Sequence, residues 1–83
     1  MSSLQPRHPH TLSEFGQGVR ERREGIGISQ TKCAKGRSFS NTWLAHLEAG
    51  RINPKLVSLL DLADALDVSV AALIGDLEID PRD

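Results

Sequence analysis

Apolar positions along this chain recur with the three-and-four spacing of helices, and turn chemistry interrupts the pattern at regular points. Phe15 and Val19 lie four apart in a segment predicted to run from Ser13 to Glu24, where Gly25 and Gly27 end it. A second, shorter segment follows Ser29, whose hydroxyl can accept a bond from the free N–H groups of a helix opening at Gln30. It is predicted to reach Gly36, with Cys33 and Ala34 as its small inward positions. Ser40 offers the same start signal to a third helix, Asn41 to Ala49, closed by Gly50, in which Leu44 and Leu47 form an apolar stripe. After the loop Gly50-Arg51-Ile52-Asn53-Pro54, the run Leu56, Leu59, Leu60, Ala63, Leu66 predicts a strongly amphipathic fourth helix. Asp67-Val68-Ser69 reads as a turn with a capping serine, and Val70, Leu73, Ile74 and Leu77 predict a short fifth helix. No segment reads as a strand or an internal repeat, so the expected fold class is all-α, a compact five-helix domain.

The second and third helices, broken at Gly36-Arg37-Ser38-Phe39, have the arrangement of a helix-turn-helix. Once Leu44 and Leu47 face inward, Asn41, Thr42, Ala45 and His46 face away. Short polar side chains on the free face of an anchored helix suit the donor and acceptor pattern of base edges in the DNA major groove.

Charge sharpens that expectation. The whole chain of 83 residues carries a net charge of −1, which argues weakly against a nucleic-acid partner until the charges are placed. From Arg20 to Lys55 there are eight basic residues (Arg20, Arg22, Arg23, Lys32, Lys35, Arg37, Arg51, Lys55) against three acidic ones, a local balance of +5. From Leu56 to Asp83 there are seven acids and only Arg82, a balance of −6. Such polarity lets the basic half meet phosphates while the acidic half stays outside the field. The basic half coincides with the helix-turn-helix.

Other features narrow the class. One cysteine excludes an internal disulfide, and no apolar run approaches the roughly 18 residues of a membrane helix, so a reduced, cytoplasmic protein is expected. Residues 1–12 lack the order of a secretory signal and are expected to be a disordered arm, 13–79 the domain with its C-terminal dimerisation segment, and 80–83 an acidic tail. His8 and His10 do not have the spacing of a zinc site with His46 or Cys33, so neither a metal nor a cofactor is expected. Cys33 is most simply a small core residue. No nucleophile, base and orienter cluster and no glycine-rich phosphate loop points to an enzyme.

Over Phe15 to Ile74 the chain resembles the lambda-repressor-like, Cro-type helix-turn-helix (xenobiotic response element) family. The resemblance rests on Phe15-Gly16, Val19-Arg20, Arg23, Gly27-Ile28-Ser29-Gln30, Ala34, Ser40, Leu44, Leu47-Glu48, Gly50, Asn53-Pro54, Leu59, Ala63, Leu66, Val68-Ser69 and Leu73, in order and without an insertion. It implies that Gln30 bonds the DNA backbone and braces the recognition helix, and that Asn41, Thr42 and His46 read bases. Phosphate contacts are implied at Ser40, Arg51, Asn53 and Lys55, and Arg23 with Glu48 is implied to be a buried ion pair. Arg22 and Arg37 depart from the family pattern, standing where aliphatics are usual. Each either lays its stem over the core edge or adds a phosphate contact, and Arg37 is grouped here with the backbone-contacting residues. Ser38 occupies a turn site where glycine is usual, which implies a shifted turn or a shortened second helix. Trp43 neighbours the Leu44 and Leu47 stripe; packing, a sugar or thymine-methyl contact and a protein partner all fit it, and it is grouped with the residues that contact the DNA backbone.

Together these features imply a sequence-specific transcriptional regulator, a repressor or restriction-modification-type controller. Its partner would be double-stranded DNA, a palindromic operator bound by a homodimer through Leu73, Ile74, Leu77 and Ile79. The alternative from another class is an antitoxin or protein-interaction adaptor, whose acidic C-terminal half would meet a basic protein partner.

Overall fold

The structure, a computed structural model, describes residues 7–75 and 77–83. Five helices follow one another: α1 Pro9–Gly25, α2 Gln30–Ala34, α3 Asn41–Glu48, α4 Leu56–Ala65 and α5 Val70–Ile74. The described residues contain no strand, as the apolar pattern predicts. Three serines open helices as expected: the hydroxyls of Ser29, Ser40 and Ser69 accept from the backbone N–H groups of Lys32, Trp43 and Ala72, each at 3.0 Å.

Helix α1 begins at Pro9, four residues before the Ser13 start that the sequence predicts. Proline suits a first helical position because its fixed φ is already helical and its missing N–H would have no partner there anyway. The next two N–H groups, of His10 and Thr11, donate to the side-chain carboxylate of Asp83 at 2.8 and 3.0 Å. Residues 9–12 are therefore helix and not part of an arm, while residues 1–6 of that expected arm lie outside the described residues. The tail, in turn, is tied down: the Thr11 hydroxyl donates to Asp83 at 2.6 Å and accepts from the backbone N–H of Asp80 at 2.8 Å. The Asp83 carboxylate thus caps α1, while that of Asp80 pairs with Arg82.

The core is assembled from Phe15 and Val19 of α1, Cys33 of α2, Phe39 of the turn, Leu44 and Leu47 of α3, and Leu62 and Leu66 at the end of α4. Leu44 and Leu62 are completely buried. Burial pushes the Cys33 thiol pKa up, which keeps it protonated and unreactive. Helices α1 and α3 cross at very short range, and Gly16 is what permits it: a Cβ there would lie 2.3 Å from the Leu47 carbonyl oxygen. Gly50 closes α3 with φ of 79° in the left-handed region, and its missing side chain leaves room for Ser13.

Two helices are shorter than their apolar patterns predict. Helix α2 stops at Ala34, because Lys35 is extended and Gly36 takes a left-handed φ of 72°. Helix α5 stops at Ile74, so Leu77 lies beyond it, packed against the core from the segment that follows.

Candidate nucleic-acid interface

The third helix is held by its inner face and its two ends, which leaves its outer face open. Leu44 and Leu47 anchor the inner face, at 0% and 1% exposure. With a helical repeat of about 3.6 residues, Asn41, Thr42, Ala45 and His46 then point outward, and all four are exposed.

Glu48 holds the C-terminal end. Its carboxylate accepts from Arg23 in a two-pronged pair, Nε to Oε2 at 2.7 Å and Nη2 to Oε1 at 3.0 Å. The remaining Arg23 nitrogen, Nη1, donates to the Ile28 carbonyl at 2.8 Å, and the Gln30 amide donates to Glu48 Oε1 at 3.0 Å. The paired side chains are only 10% and 4% exposed. The bond to Glu48 raises the Arg23 pKa above its already high ordinary value, so the cation is permanent. The family resemblance implies this pair. Gln30 makes the bracing contact implied for it and belongs to the same network.

At the N-terminal end, Ser40 caps the helix, and the turn before it is fastened to α4. The Ser38 backbone N–H donates to Asp61 Oδ2 at 3.1 Å, and the Arg37 guanidinium pairs with Asp64. The Ser38 bonds pull the Asp61 carboxyl below its ordinary range. Arg37, grouped from sequence with the phosphate-contacting residues, is thus occupied by a carboxylate of the neighbouring helix. Arg22 is likewise used internally, donating to the Ala72 carbonyl at 3.1 Å. Trp43 packs against Phe39, with ring centroids 4.9 Å apart and planes inclined by 32°, and sits half-buried at the core edge. Packing therefore occupies much of its indole.

The loop after α3 carries Arg51, Asn53 and Lys55, all exposed, between the half-buried Ile52 and Pro54. An open cavity of about 590 Å³ between α2 and the start of α3 is lined by Ala34, Phe39, Lys32 and Lys35 among others, with no carboxylate in its wall. Lys32 and Lys35 thus share a cavity wall with Asn41 at the start of α3, and Arg51 and Lys55 are exposed in the loop that follows its end.

Of the four residues expected to form a dimer surface, Ile74 and Ile79 are exposed, whereas Leu73 and Leu77 are half-buried against the core. Leu56 and Leu60, which the sequence places in the apolar stripe of α4, are exposed, as is Val57, which that stripe does not include. The excess of Leu56 and Leu60 over what the core consumes was visible only as the breadth of the α4 apolar stripe. Among the described residues no helix is long and apolar enough to cross a membrane, and no three His, Cys, Asp or Glu side chains gather as a metal site.

A short capped α2, a turn, and a braced α3 with an outward polar face define a helix-turn-helix domain. The sequence profile of the family described as "Helix-turn-helix domain" matches residues 14–73. The chain is 33% identical over 61 residues to the immunity repressor protein of Bacillus phage phi105, covering 74% of this chain and 42% of that protein. It thus spans less than half of the phage repressor's length. It is 39% identical over 63 residues to the uncharacterized HTH-type transcriptional regulator y4dJ of Sinorhizobium fredii (strain NBRC 101917 / NGR234), covering 76% of this chain and 80% of that one. Among solved structures it is similar to the restriction-modification controller protein C.AhdI from Aeromonas hydrophila, at TM-score 0.74 and 36% identity over 77% of this chain and 97% of that one. It is also similar to the P22 c2 repressor solved with a synthetic operator, at TM-score 0.66 and 30% identity over 71% and 89%. The chain belongs to the helix-turn-helix domain family, alongside transcriptional regulators of repressor and controller type.

Proposed function

We propose that this protein is a sequence-specific, DNA-binding transcriptional regulator that acts as a homodimer on an inverted-repeat operator. The observation that carries the reading is the outer face of α3. Asn41, Thr42 and His46 are exposed and unused by the fold, on a helix fixed at both ends, with Lys32 and Lys35 on the cavity that Asn41 also lines and Arg51 and Lys55 exposed in the loop that follows. Asn41 can pair with adenine through its amide, and His46 can donate to a guanine acceptor. Ser40, Arg51, Asn53 and Lys55 supply phosphate contacts, which set register and affinity without reading sequence. The kinship with a phage repressor and with a structure solved on operator DNA supports repression as the mode of action.

Dimerisation gives such a domain two recognition helices about 34 Å apart on one face of the duplex. The apolar side chains left exposed, Ile74 and Ile79 together with Leu56, Val57 and Leu60 of α4, supply the surface for it. The antitoxin or adaptor reading draws less support. It needs a free acidic half, yet four of the seven acids after Lys55 are already engaged: Asp61 and Asp64 with the turn, Asp80 with Arg82, and Asp83 with α1.

Selection of binding sites from a random duplex pool tests the proposal. The expected result is an enriched inverted repeat with half-sites about one helical turn apart, bound with a steep loss of affinity as salt rises. Asn41→Ala should lower discrimination between the selected and a random duplex while leaving the melting temperature intact. Weak, salt-sensitive binding with no enriched sequence would remove the regulator reading.

A further inference from the structure

Helix α3 is fastened by two braces of different origin, and they lie at opposite ends. The Arg23, Gln30 and Glu48 network holds residue 48, whereas the base-facing Asn41 and Thr42 stand seven and six residues earlier. At about 1.5 Å of rise per residue, Asn41 is some 10 Å along the axis from that brace. Its position depends on what holds the helix start. There the chain runs through Lys35 to Phe39 without repetitive structure, and its one left-handed residue, Gly36, comes two residues before the turn tip at Ser38. The Arg37 N–H is satisfied within the turn, by the Ala34 carbonyl at 3.0 Å. The next N–H, that of Ser38, is satisfied from outside, by the Asp61 carboxylate of α4.

We infer that Asp61 is a positioning residue for sequence discrimination: by accepting the Ser38 N–H it fixes the turn that aims the N-terminal end of the recognition helix. The inference rests on the regulator reading above. Asp61 sits immediately before Leu62 and Ala63, both buried, so its own backbone is fixed by the core. The Ser38 it holds lies between Arg37, paired with Asp64 one turn further along α4, and Phe39, which is buried. Asp61 and Asp64 therefore act on one short stretch, two residues ahead of the Ser40 cap. A bidentate base contact tolerates little displacement, so release of the turn costs discrimination before it costs folding.

Two substitutions separate this role from the electrostatic effect of losing an acid near DNA. Asp61→Ala and Asp61→Asn remove the same charge and raise affinity for any duplex alike, but Asn keeps an oxygen that can accept from Ser38. The ratio of dissociation constants for a random duplex and the selected duplex should fall about tenfold in Asp61→Ala. In Asp61→Asn it should stay nearer the unsubstituted protein than Asp61→Ala. Amide exchange at Ser38 should quicken only in Asp61→Ala, with the thermal transition retained in both. Equal ratios in the two variants, or an unchanged ratio in Asp61→Ala, would overturn the inference. If the unsubstituted protein itself fails to discriminate, the regulator reading falls, and this one with it.

Discussion

Two arginines each tie the helix-turn-helix to another helix, Arg23 of α1 through Glu48 of α3 and Arg37 of the turn through Asp64 of α4, and their surroundings give them different tasks. Arg23 and Glu48 are nearly sealed, at 10% and 4% side-chain exposure, and every guanidinium nitrogen has a protein acceptor. Arg37 and Asp64 are open, at 30% and 74%. In the sealed pair, withdrawal of one partner strands a charge out of reach of water. In the open pair, water replaces whatever is withdrawn. The first therefore decides whether α1 and α3 stay together, and the second adjusts a turn that the core already holds through Phe39.

The comparison breaks most visibly at Glu48. Glu48→Ala leaves Arg23 buried with the Ile28 carbonyl and a half-exposed Glu24 carboxylate 4.0 Å away, and should cost about 3–5 kcal/mol, read as a fall in melting temperature of more than about 12 °C for a domain of this size. A loss within the range of a surface pair would show that water reaches Arg23 and that the two pairs do not differ. Ser40→Ala ranks next. It removes the cap of α3 and should cost about 1 kcal/mol in chemical denaturation, without altering the Arg23 network.

Arg37→Ala should cost no more than about 1 kcal/mol, a loss erased by added salt, because an exposed pair is screened. Comparison of urea midpoints at low and high salt for Glu48→Ala and Arg37→Ala sharpens the contrast. Salt should close the gap to the unsubstituted protein for Arg37→Ala and leave it open for Glu48→Ala.

What was legible in the sequence follows from distance along the chain. The caps at Ser29, Ser40 and Ser69 act on N–H groups three residues away, and the Leu44 and Leu47 stripe is a property of one helix, so local chemistry announces both. Arg23 with Glu48, 25 residues apart, was reached only through the family resemblance. Asp61 and Asp64 meet the turn across 23 and 27 residues, and Asp83 meets Thr11 across 72. No periodicity encodes such pairings. The same gap hides the start of α1 at Pro9, because the carboxylate that caps it, Asp83, lies more than 70 residues away along the chain. The Arg37 pairing was illegible because a cation near a turn suits phosphate and carboxylate equally well until α4 is in place.

The smallest expected effect is the acid titration of the turn. Hydrogen bonds from Ser38 hold the Asp61 carboxyl below its ordinary value, with the nearby Arg37 charge acting in the same direction. A depressed folded-state pKa means that the bond contributes stability above the unfolded value of about 3.9, and that this contribution is lost as pH falls through the lower folded value. The Ser38 amide resonance, followed by NMR as pH is lowered, should therefore shift with a midpoint below about 3.9. Arg37→Ala should move that midpoint upward but leave it depressed, because the hydrogen bonds are the larger cause and the Arg37 charge the smaller. A midpoint at the ordinary value would show that Asp61 is free of the turn in solution. One that returns fully to the ordinary value in Arg37→Ala would show that charge alone, and not the bond to Ser38, joins the turn to α4.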